Sequence, residues 1–456
     1  YFVEKGKKYP KQDKVVILAK AMETSFEELS SPNLTKKLAP VGELLQSNFL
    51  SELPLDLFGI ELNKVVEIIA NAPLRVGAFI STLVELSRNY ALREESFYFG
   101  AMRSYQELHY NYFESIEDAA KRFVQQYDIP QEGAVSDTLL ANILTERFGY
   151  EIVENGLKTY PDLENLRAVV LPQKKKLFLN PGLNATERAF QLSKELAFNY
   201  LDLKERSNTS SLTRVTSFEQ VLNHFKAVYF SAAVLINREA FVEDMKAFFS
   251  RSKWNGEAFV GLMRTYQISP EIFYGRLTNL IPRFFGLKKL FFLRVNHQSG
   301  TENFQVDKEL HLNHHHHPHG NQIYEHYCRR WMSLSLLKDL QQMQAEGKYV
   351  GTIVGAQRSR YHGTEDEYLC FTLARSGFPT PNVNVSVTIG LLLDDELKEK
   401  VRFWNDPSIA SREVNKTCER CVIKDCKDRI VPASIVEKKE KRKRIQESIR
   451  KIMDEY

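Results

Sequence analysis

The 456-residue chain has little of several features that define protein classes. It contains no apolar run of 18 residues, which excludes a membrane-spanning helix, and its first residues carry no secretory signal pattern. Five cysteines are too few for a disulfide framework, so clustered cysteines indicate a metal or cluster site. The net charge of +4 does not by itself indicate nucleic-acid binding. We therefore expect a soluble cytoplasmic protein of about three domains.

The first half of the chain is predicted to be mainly α-helical. Residues 1–29 contain a basic turn and a short helix, and a loop rich in Ser, Pro and Asn follows at 30–40. From there to residue 127, apolar residues recur every three or four positions, which is typical of amphipathic helices. Region 128–286 adds short strands, including a hairpin around Pro172, to further helices.

The hydrophobic period changes to two after about residue 287. Segments such as KKLFFLRVN and NVNVSVTIGL predict about five strands, and one helix is expected near 323–345. Residues 287–410 are therefore predicted to form an α+β domain. Residues 411–456 contain a cysteine cluster and a charged helix. The predicted fold class is mainly α with α+β parts.

The strongest chemical signal is the segment NKTCERCVIKDCKDR. Cys418, Cys421 and Cys426 form a C-x2-C-x4-C pattern, and two residues between thiols let adjacent backbone turns present both sulfurs to one metal. Lysines and arginines surround the segment and would offset the negative charge of thiolates. Zinc and an iron–sulfur cluster, 4Fe-4S above all, are both compatible with this pattern, and the alternative is three free thiols in a loop.

Three thiolates need a fourth ligand for either centre. Cys328 and Cys370 are the remaining cysteines, and a histidine is a third option. We favour Cys370, because it lies in a predicted strand of the domain that the cysteine segment follows.

A histidine tract, HLNHHHHPHG, lies within the predicted α+β domain. Six imidazoles in a loop bind nickel or zinc weakly without designed geometry, which is the simpler interpretation. The other interpretation places His319, with Arg329 and Arg330, at the rim of a ligand pocket where cations meet phosphates.

A helix near residue 195 has the spacing of a zinc peptidase motif without its ligands. The motif H-E-x-x-H needs two imidazoles one turn apart and a Glu as general base. Here Lys194, Glu195 and Phe198 take those positions, and neither an ammonium group nor a phenyl ring can ligate zinc. Peptidase activity is not expected.

The last helix is strongly basic. It carries eight Lys or Arg residues between 438 and 451 together with an apolar stripe that includes Ile445 and Ile449. A docked or coiled helix with a solvated basic face is one interpretation, and phosphate contact with DNA is the other.

Taken in this order, the segments resemble the short-chain fatty-acyl transcriptional regulators, and the resemblance covers nearly the whole chain. Glu4, Gly6 and Pro10 with ILAKAMETSFEEL are similar to the second half of an XRE-type helix-turn-helix. LAPVGELLQSNFLSELPLDLFGI and IIANAPLRVGAFISTLVELSRNY resemble the family's helical linker, and ERAFQLSKELAFNYL resembles its ImmA/IrrE-like metallopeptidase helix. EHYCRRW and the cysteine pattern resemble its sensory end.

The resemblance implies five regions. They are a partial helix-turn-helix (1–29), a helical linker and dimerisation region (30–127), a degenerate ImmA/IrrE-like peptidase domain (128–286), a ligand-sensing α+β domain (287–410), and the cysteine cluster with its basic helix (411–456). Of the metal ligands in ImmA/IrrE-type enzymes, the resemblance leaves only His224, in the place of the third.

The same resemblance implies a homodimeric, cytoplasmic regulator that binds double-stranded DNA and responds to an acyl-CoA of propionate or acetate type. Phosphate contacts on DNA are expected from Lys5, Lys7 and Lys8. The acyl-CoA phosphates are expected to meet cationic residues of the sensing domain, namely Arg329, Arg330, Arg358, Arg360 and His319. An iron–sulfur cluster is expected at Cys418, Cys421 and Cys426 with Cys370, with zinc as the alternative.

Two other functions stay open on sequence alone. A redox or metal sensor would use the cysteine cluster itself as its input. A zinc endopeptidase is the remote alternative, since both helix histidines are missing.

Overall fold

The computed structural model describes residues 57, 94–312, 325–348, 351–380 and 382–455. The chain divides into two compact units. The first consists of Tyr1–Tyr105, Glu205–Ser207 and Leu212–His224, and the second consists of Gln106–Lys204, Asn208–Ser211 and Phe225–Tyr456. The predicted helix-turn-helix, with Lys5, Lys7 and Lys8, and most of the predicted linker lie outside the described residues, as does His319.

Within the first unit, Glu205 joins separate parts of the chain. Its carboxylate accepts a hydrogen bond from Ser217 Oγ at 2.7 Å, and its main-chain carbonyl accepts one from Asn223 Nδ2 at 3.0 Å. These bonds tie the 205–207 segment to the start of the helix that follows.

The described helices are α1 (Glu94–Leu108), α2 (Glu114–Gln126), α3 (Asp137–Phe148), α4 (Ala185–Tyr200), α5 (Phe218–Leu235), α6 (Arg238–Phe249), α7 (Gly256–Thr265), α8 (Pro270–Phe284), α9 (Met332–Ala345), α10 (Asp395–Lys400) and α11 (Ser434–Glu455). Side chains cap the N-termini of several of these helices. Asn184, Asn237, Asn255 and Ser269 each accept a hydrogen bond from the backbone N–H three residues on, which satisfies a donor that the helix leaves unpaired.

A small sheet precedes α4. Its strands are β1 (Glu151–Val153), β2 (Ala168–Leu171) and β3 (Lys176–Leu179), in the order β1-β3-β2. β2 and β3 are antiparallel and joined by a turn at Pro172–Lys174, as the sequence predicts, and β1 runs parallel to β3. In the sequence, α4 follows β3, the last of these strands, after a short loop.

A six-stranded sheet occupies the C-terminal half of the second unit. It consists of β4 (Leu290–Gln298), β5 (Phe304–His311), β6 (Ile353–Tyr361), β7 (Glu367–Ser376), β8 (Val383–Leu392) and β9 (Ala410–Val414), in the order β5-β4-β8-β7-β6-β9. Neighbouring strands are antiparallel except for β6 and β9. The five strands predicted from the period of two are confirmed.

Helices cover the two faces of this sheet. Because successive strand residues point to opposite faces, Tyr368, Cys370 and Ala374 share the face that packs with α9. On the other face, Phe371 stacks on Trp254 at 5.1 Å between ring centroids and lies 5.6 Å from Phe259 of α7. The sheet is therefore fixed on both sides by apolar packing.

The predicted helix near 323–345 begins later than expected. α9 starts at Met332. Arg329 and Arg330 form a turn before it, and Tyr327 forms a β-bridge with Thr417. Backbone groups at 326 and 328 pair with the cysteine segment instead of with a helical turn.

Candidate functional site

The peptidase-like motif lies on α4, in the interior of the second unit. Lys194 and Glu195 retain only 6% and 2% of their surface exposed, and Phe198 is also buried. Lys194 Nζ donates a hydrogen bond to the main-chain carbonyl of Ser210 at 2.5 Å, and Asn199 Nδ2 donates to Glu195 Oε1 at 3.2 Å. The positions at which a zinc peptidase places its helix ligands therefore hold an ammonium group and a phenyl ring.

The cysteine segment is docked on the residues before α9 by backbone pairing. Cys418 N donates to His326 O at 2.9 Å, and Cys328 N donates to Lys416 O at 3.2 Å. Trp331 Nε1 adds a bond to Asn415 O at 2.8 Å. These bonds join two parts of the chain that are separated by about ninety residues.

Charged side chains strengthen the same contact. Glu325 accepts from Arg420 Nε and Nη2 at 2.7 and 2.6 Å and from Thr417 Oγ1 at 2.8 Å. Glu419 accepts from the His326 backbone N–H at 3.0 Å and lies 2.7 Å from its ring Nδ1. Bidentate and charge-assisted hydrogen bonds of this kind fix the geometry of the contact and also stabilise it.

Arg429 holds the loop that carries the thiols. Its Nη1 donates to Cys418 O at 2.8 Å, and its Nη2 donates to Cys421 O at 2.9 Å and to Ile423 O at 2.8 Å. Three carbonyls of the loop thus converge on one guanidinium group. The loop is shaped by a side chain outside the C-x2-C-x4-C pattern.

The structure brings Cys328 rather than Cys370 to the cysteine segment. Burial raises the pKa of the Cys328 thiol to about 11, and the nearby Cys418 and Cys421 add to that rise. Cys328, Cys418 and Cys421 are buried, and Cys426 is partly exposed. Among the described residues, no group of three or more His, Cys, Asp or Glu side chains is arranged to hold a metal ion.

Cys370, the expected fourth ligand, has other neighbours. It lies in the centre of β7, and its Sγ is 3.6 Å from Ser359 Oγ and 3.7 Å from Tyr368 O. Burial raises the pKa of this thiol to about 12. Backbone pairing at 326–328 places Cys328 beside the cysteine segment. The assignment of Cys370 as the fourth ligand stays a prediction.

The arginines expected to meet phosphates have partners within the protein. Arg329 is buried, lies 4.3 Å above the Phe304 ring and bonds Glu302 O at 2.9 Å. Arg330 faces Asp428 at 3.9 Å, and Arg358 pairs with Glu367 at 3.0 Å. Arg360 is exposed on β6. Each of the first three has its own acidic or carbonyl partner. Their role in phosphate binding stays a prediction.

A different group of charges, here called the arginine cluster, lies on the α8 face of the large sheet. It contains the cations Arg167, Arg294, Arg375 and Lys308 and the carboxylates Glu187, Glu271 and Asp307. Arg294 and Lys308 are direct cross-strand partners on β4 and β5. Four cations and three carboxylates leave one net positive charge.

Glu271 is the electrostatic centre of the arginine cluster. Arg375 Nη2 lies 3.0 Å from its Oε2, and Arg294 Nε lies 3.9 Å from its Oε1. Burial alone would raise the pKa of Glu271, but Arg375, Arg294 and Arg167 outweigh it and lower that pKa to about 2. Glu271 therefore remains ionised at neutral pH.

Glu187 differs from Glu271 although both lie in the first turn of a helix. Its side chain is 5% exposed, Arg375 Nη1 is 3.5 Å from its Oε1, and neither carboxylate oxygen has a hydrogen-bond partner. Burial raises its pKa more than Arg375 and Arg167 lower it. Lys308, in contrast, keeps exposed surface on β5.

The sequence names Cys328 only as one of the remaining cysteines, because its backbone pairing with the cysteine segment has no local sequence signal. The sequence also gives no sign of the arginine cluster. Its arginines stand singly in the sequence, on or beside three different strands. Packing around Glu271 brings them together.

Residues 145–278 match the family model described as Peptidase_M78, IrrE N-terminal-like domain. The chain therefore contains an IrrE N-terminal-like domain, and β1 to β3 and α4 lie within it. No curated protein matches the chain.

Among solved structures, the chain is similar to a Mycobacterium tuberculosis transcriptional regulator. The two chains are 18% identical and superpose with a TM-score of 0.49, over 74% of this chain and 93% of that one. Among the helices of the described ranges, none has the length and apolar character needed to cross a membrane.

Proposed function

We propose that this protein is a DNA-binding transcriptional regulator of short-chain acyl metabolism in which the IrrE-like domain is a non-hydrolytic scaffold. The observation that carries the scaffold role is Lys194. Its ammonium group occupies a zinc-ligand position and is already bonded to a carbonyl of the same chain. A cation there repels zinc and has no lone pair with which to bind it.

The proposed effector is an acyl-CoA. Its phosphates need several cations in a partly dehydrated place, since bidentate guanidinium–phosphate bonds are strongest there. The arginine cluster supports this role, because its cations outnumber its carboxylates and its Lys308 keeps exposed surface. Glu187 and Glu271 hold the guanidinium groups in place before the ligand arrives.

The effector would act by binding two conformations with different affinity. A ligand shifts an equilibrium only by that difference in binding free energy. The arginine cluster draws residues from both the IrrE-like domain, through Arg167 and Glu187, and the large sheet, through Arg294 and Arg375. Phosphate binding would change how these groups pair, which gives the effector a mechanism for altering the scaffold.

We further propose a thiolate centre formed by Cys418, Cys421, Cys426 and Cys328, with Cys328 in the place first assigned to Cys370. Four cysteine thiolates suit either an iron–sulfur cluster or zinc. The Arg429 bonds and the pairing at 326–328 support such a centre by presetting the loop. When bound, a cluster supplies one-electron redox chemistry, whereas zinc supplies only a structural brace.

A redox or metal sensor is the second candidate function. The burial of three of the four thiols next to the start of α9 favours it, because a change at this centre would reach the large sheet directly. The two candidates differ in their input. Cys418→Ser abolishes the response in a sensor of the second kind, whereas an acyl-CoA regulator still binds its effector.

The effector proposal is tested by binding of acetyl-CoA and propionyl-CoA to the purified full chain, measured by titration calorimetry. We expect Arg375→Ala and Arg294→Ala to weaken binding at least tenfold, since each removes a charge-assisted contact. Arg358→Ala, which alters a guanidinium outside the arginine cluster, should leave the affinity within about twofold. Equal losses in all three variants, or no binding of either ester to the wild type, would refute the proposal.

DNA binding and its control by acyl-CoA are tested separately with the full-length protein. Binding to a duplex obtained by in vitro selection should weaken steeply with salt, and acyl-CoA should shift the binding curve. An unchanged curve across a panel of CoA esters contradicts effector control.

A further inference from the structure

Segment Asn208–Ser211 forms an added strand on the edge of the small sheet. Val170 N donates to Asn208 O at 2.7 Å, and Ser210 N donates to Ala168 O at 2.9 Å, around an antiparallel bridge between Val169 and Thr209. Ser210 Oγ also accepts a bond from Arg167 N at 3.1 Å. The segment thus lies along β2 as a short peptide would in strand addition.

Lys194 approaches the same segment from α4. Its Nζ is 2.5 Å from Ser210 O, and only 6% of the residue's surface is exposed. A buried ammonium group needs acceptors to offset the loss of hydration, and the Ser210 carbonyl is one of them. One helix side chain and one edge strand therefore hold the same four residues.

This arrangement has the elements of a peptidase cleft with its substrate. In a zinc peptidase, the metal on the helix polarises the carbonyl of a bound peptide as a Lewis acid. Here the residue at the first metal-ligand position places a positive charge against the Ser210 carbonyl, and the peptide is part of the same chain.

We propose that the IrrE-like domain keeps a peptide-binding cleft, that Asn208–Ser211 is its resident occupant, and that Lys194 holds this occupant in the way a metal holds a substrate carbonyl. No bond is broken in this arrangement. Lys194 is a positioning residue, and the ligand class of the cleft is an extended peptide that pairs with β2.

Hydrogen exchange on the full chain tests the occupant directly. We expect Lys194→Met and Ser210→Pro each to increase exchange of the Val170 amide at least tenfold, the first by removing the cation and the second by removing the Ser210 N–H donor. Lys194→Arg should preserve most of the protection. Lys246→Met, on the exposed face of α6, is the matched control and should change nothing near β2.

A second measurement separates a cleft from ordinary packing. A labelled peptide of the sequence RSNTSSLT, residues 206–213, is titrated into the full-length variants. We expect it to bind Ser210→Pro at least tenfold more tightly than the wild type, and to lose that gain when Lys194→Met is added. If Lys194→Met unfolds, Ser210→Pro alone decides the result. Unchanged Val170 protection in Ser210→Pro, or equal peptide binding to wild type and Ser210→Pro, overturns the proposal.

Discussion

Arg276 of α8 and Glu117 of α2 form a buried, two-point ion pair. Arg276 Nη1 and Nη2 lie 2.5 and 3.0 Å from Glu117 Oε1 and Oε2, and the two side chains are 0% and 4% exposed. Tyr229 donates a further bond to Glu117 Oε1 at 2.8 Å. The pair joins helices that are far apart in sequence, so it fixes the helical part of the second unit.

Removing one member of this pair should destabilise the protein strongly. Arg276→Met leaves the Glu117 carboxylate buried without its cation, and we expect a loss of about 3–5 kcal/mol in the free energy of unfolding. Urea denaturation measures this loss. The exposed pair of Lys246 and Glu243 is the control, and Lys246→Ala should cost less than about 1 kcal/mol. Similar small losses in both variants would contradict the assigned role.

Glu271 should make stability depend on acid pH. Its pKa is lowered from 4.5 to about 2. The stability that the ionised carboxylate adds is therefore fully present above about pH 4.5, and it is lost as the pH falls from there towards about 2. Between about pH 5 and about pH 3, we expect the wild type to lose about 2 kcal/mol more than Glu271→Gln does. Chemical denaturation at each pH measures the difference. Parallel stability curves for the two proteins would show that Glu271 has an ordinary pKa.

Arg429 should control how firmly the thiol loop retains the proposed metal centre. Arg429→Lys keeps the charge but loses the planar group that bonds three carbonyls, so we expect release of iron or zinc to a chelator to become about tenfold faster. Arg442→Lys on the exposed helix α11 is the matched control. Equal release rates from the two variants would exclude the role proposed for Arg429.

Helix α11 offers an apolar stripe for association with a second copy of the chain. Ile445, Ile449 and Ile452 are 50%, 51% and 58% exposed, and no residue of this helix is buried. Two helices can cover such stripes as a coiled coil, so we predict a dimer formed through α11 and expect Ile449→Lys to make the protein monomeric. Sedimentation measures the mass, and Gln446→Lys on the same helix is the control. A wild-type monomer at micromolar concentration would remove this basis for dimerisation.

Much of the fold could be predicted from local pattern, whereas the site depends on long-range pairing. The alternation in LFFLRVN and in VNVSVTIGLL predicts β4 and β8, because each residue's face is set by its immediate neighbours. Cys328 meets the cysteine segment through backbone bonds of residues 326–328, and no local pattern encodes these bonds. Arg167, Arg294 and Arg375 become neighbours only through packing around Glu271.

Lys194 illustrates both what the sequence predicts and what it does not. The missing zinc ligands at 194 and 198 could be predicted from chemistry alone, since neither side chain offers a lone pair at neutral pH. The partner of Lys194 could not, because Ser210 reaches it through strand addition on β2.

The central proposal for the cysteine segment is that Cys328 completes a thiolate centre with Cys418, Cys421 and Cys426. The most direct measurement is the iron, sulfide and zinc content per chain, with the absorption spectrum, of protein purified without oxygen. We expect the wild type and Cys370→Ser to hold the same amount, and Cys328→Ser to lose most of it. Loss in Cys370→Ser with retention in Cys328→Ser, or a wild type without iron and zinc, would contradict the account.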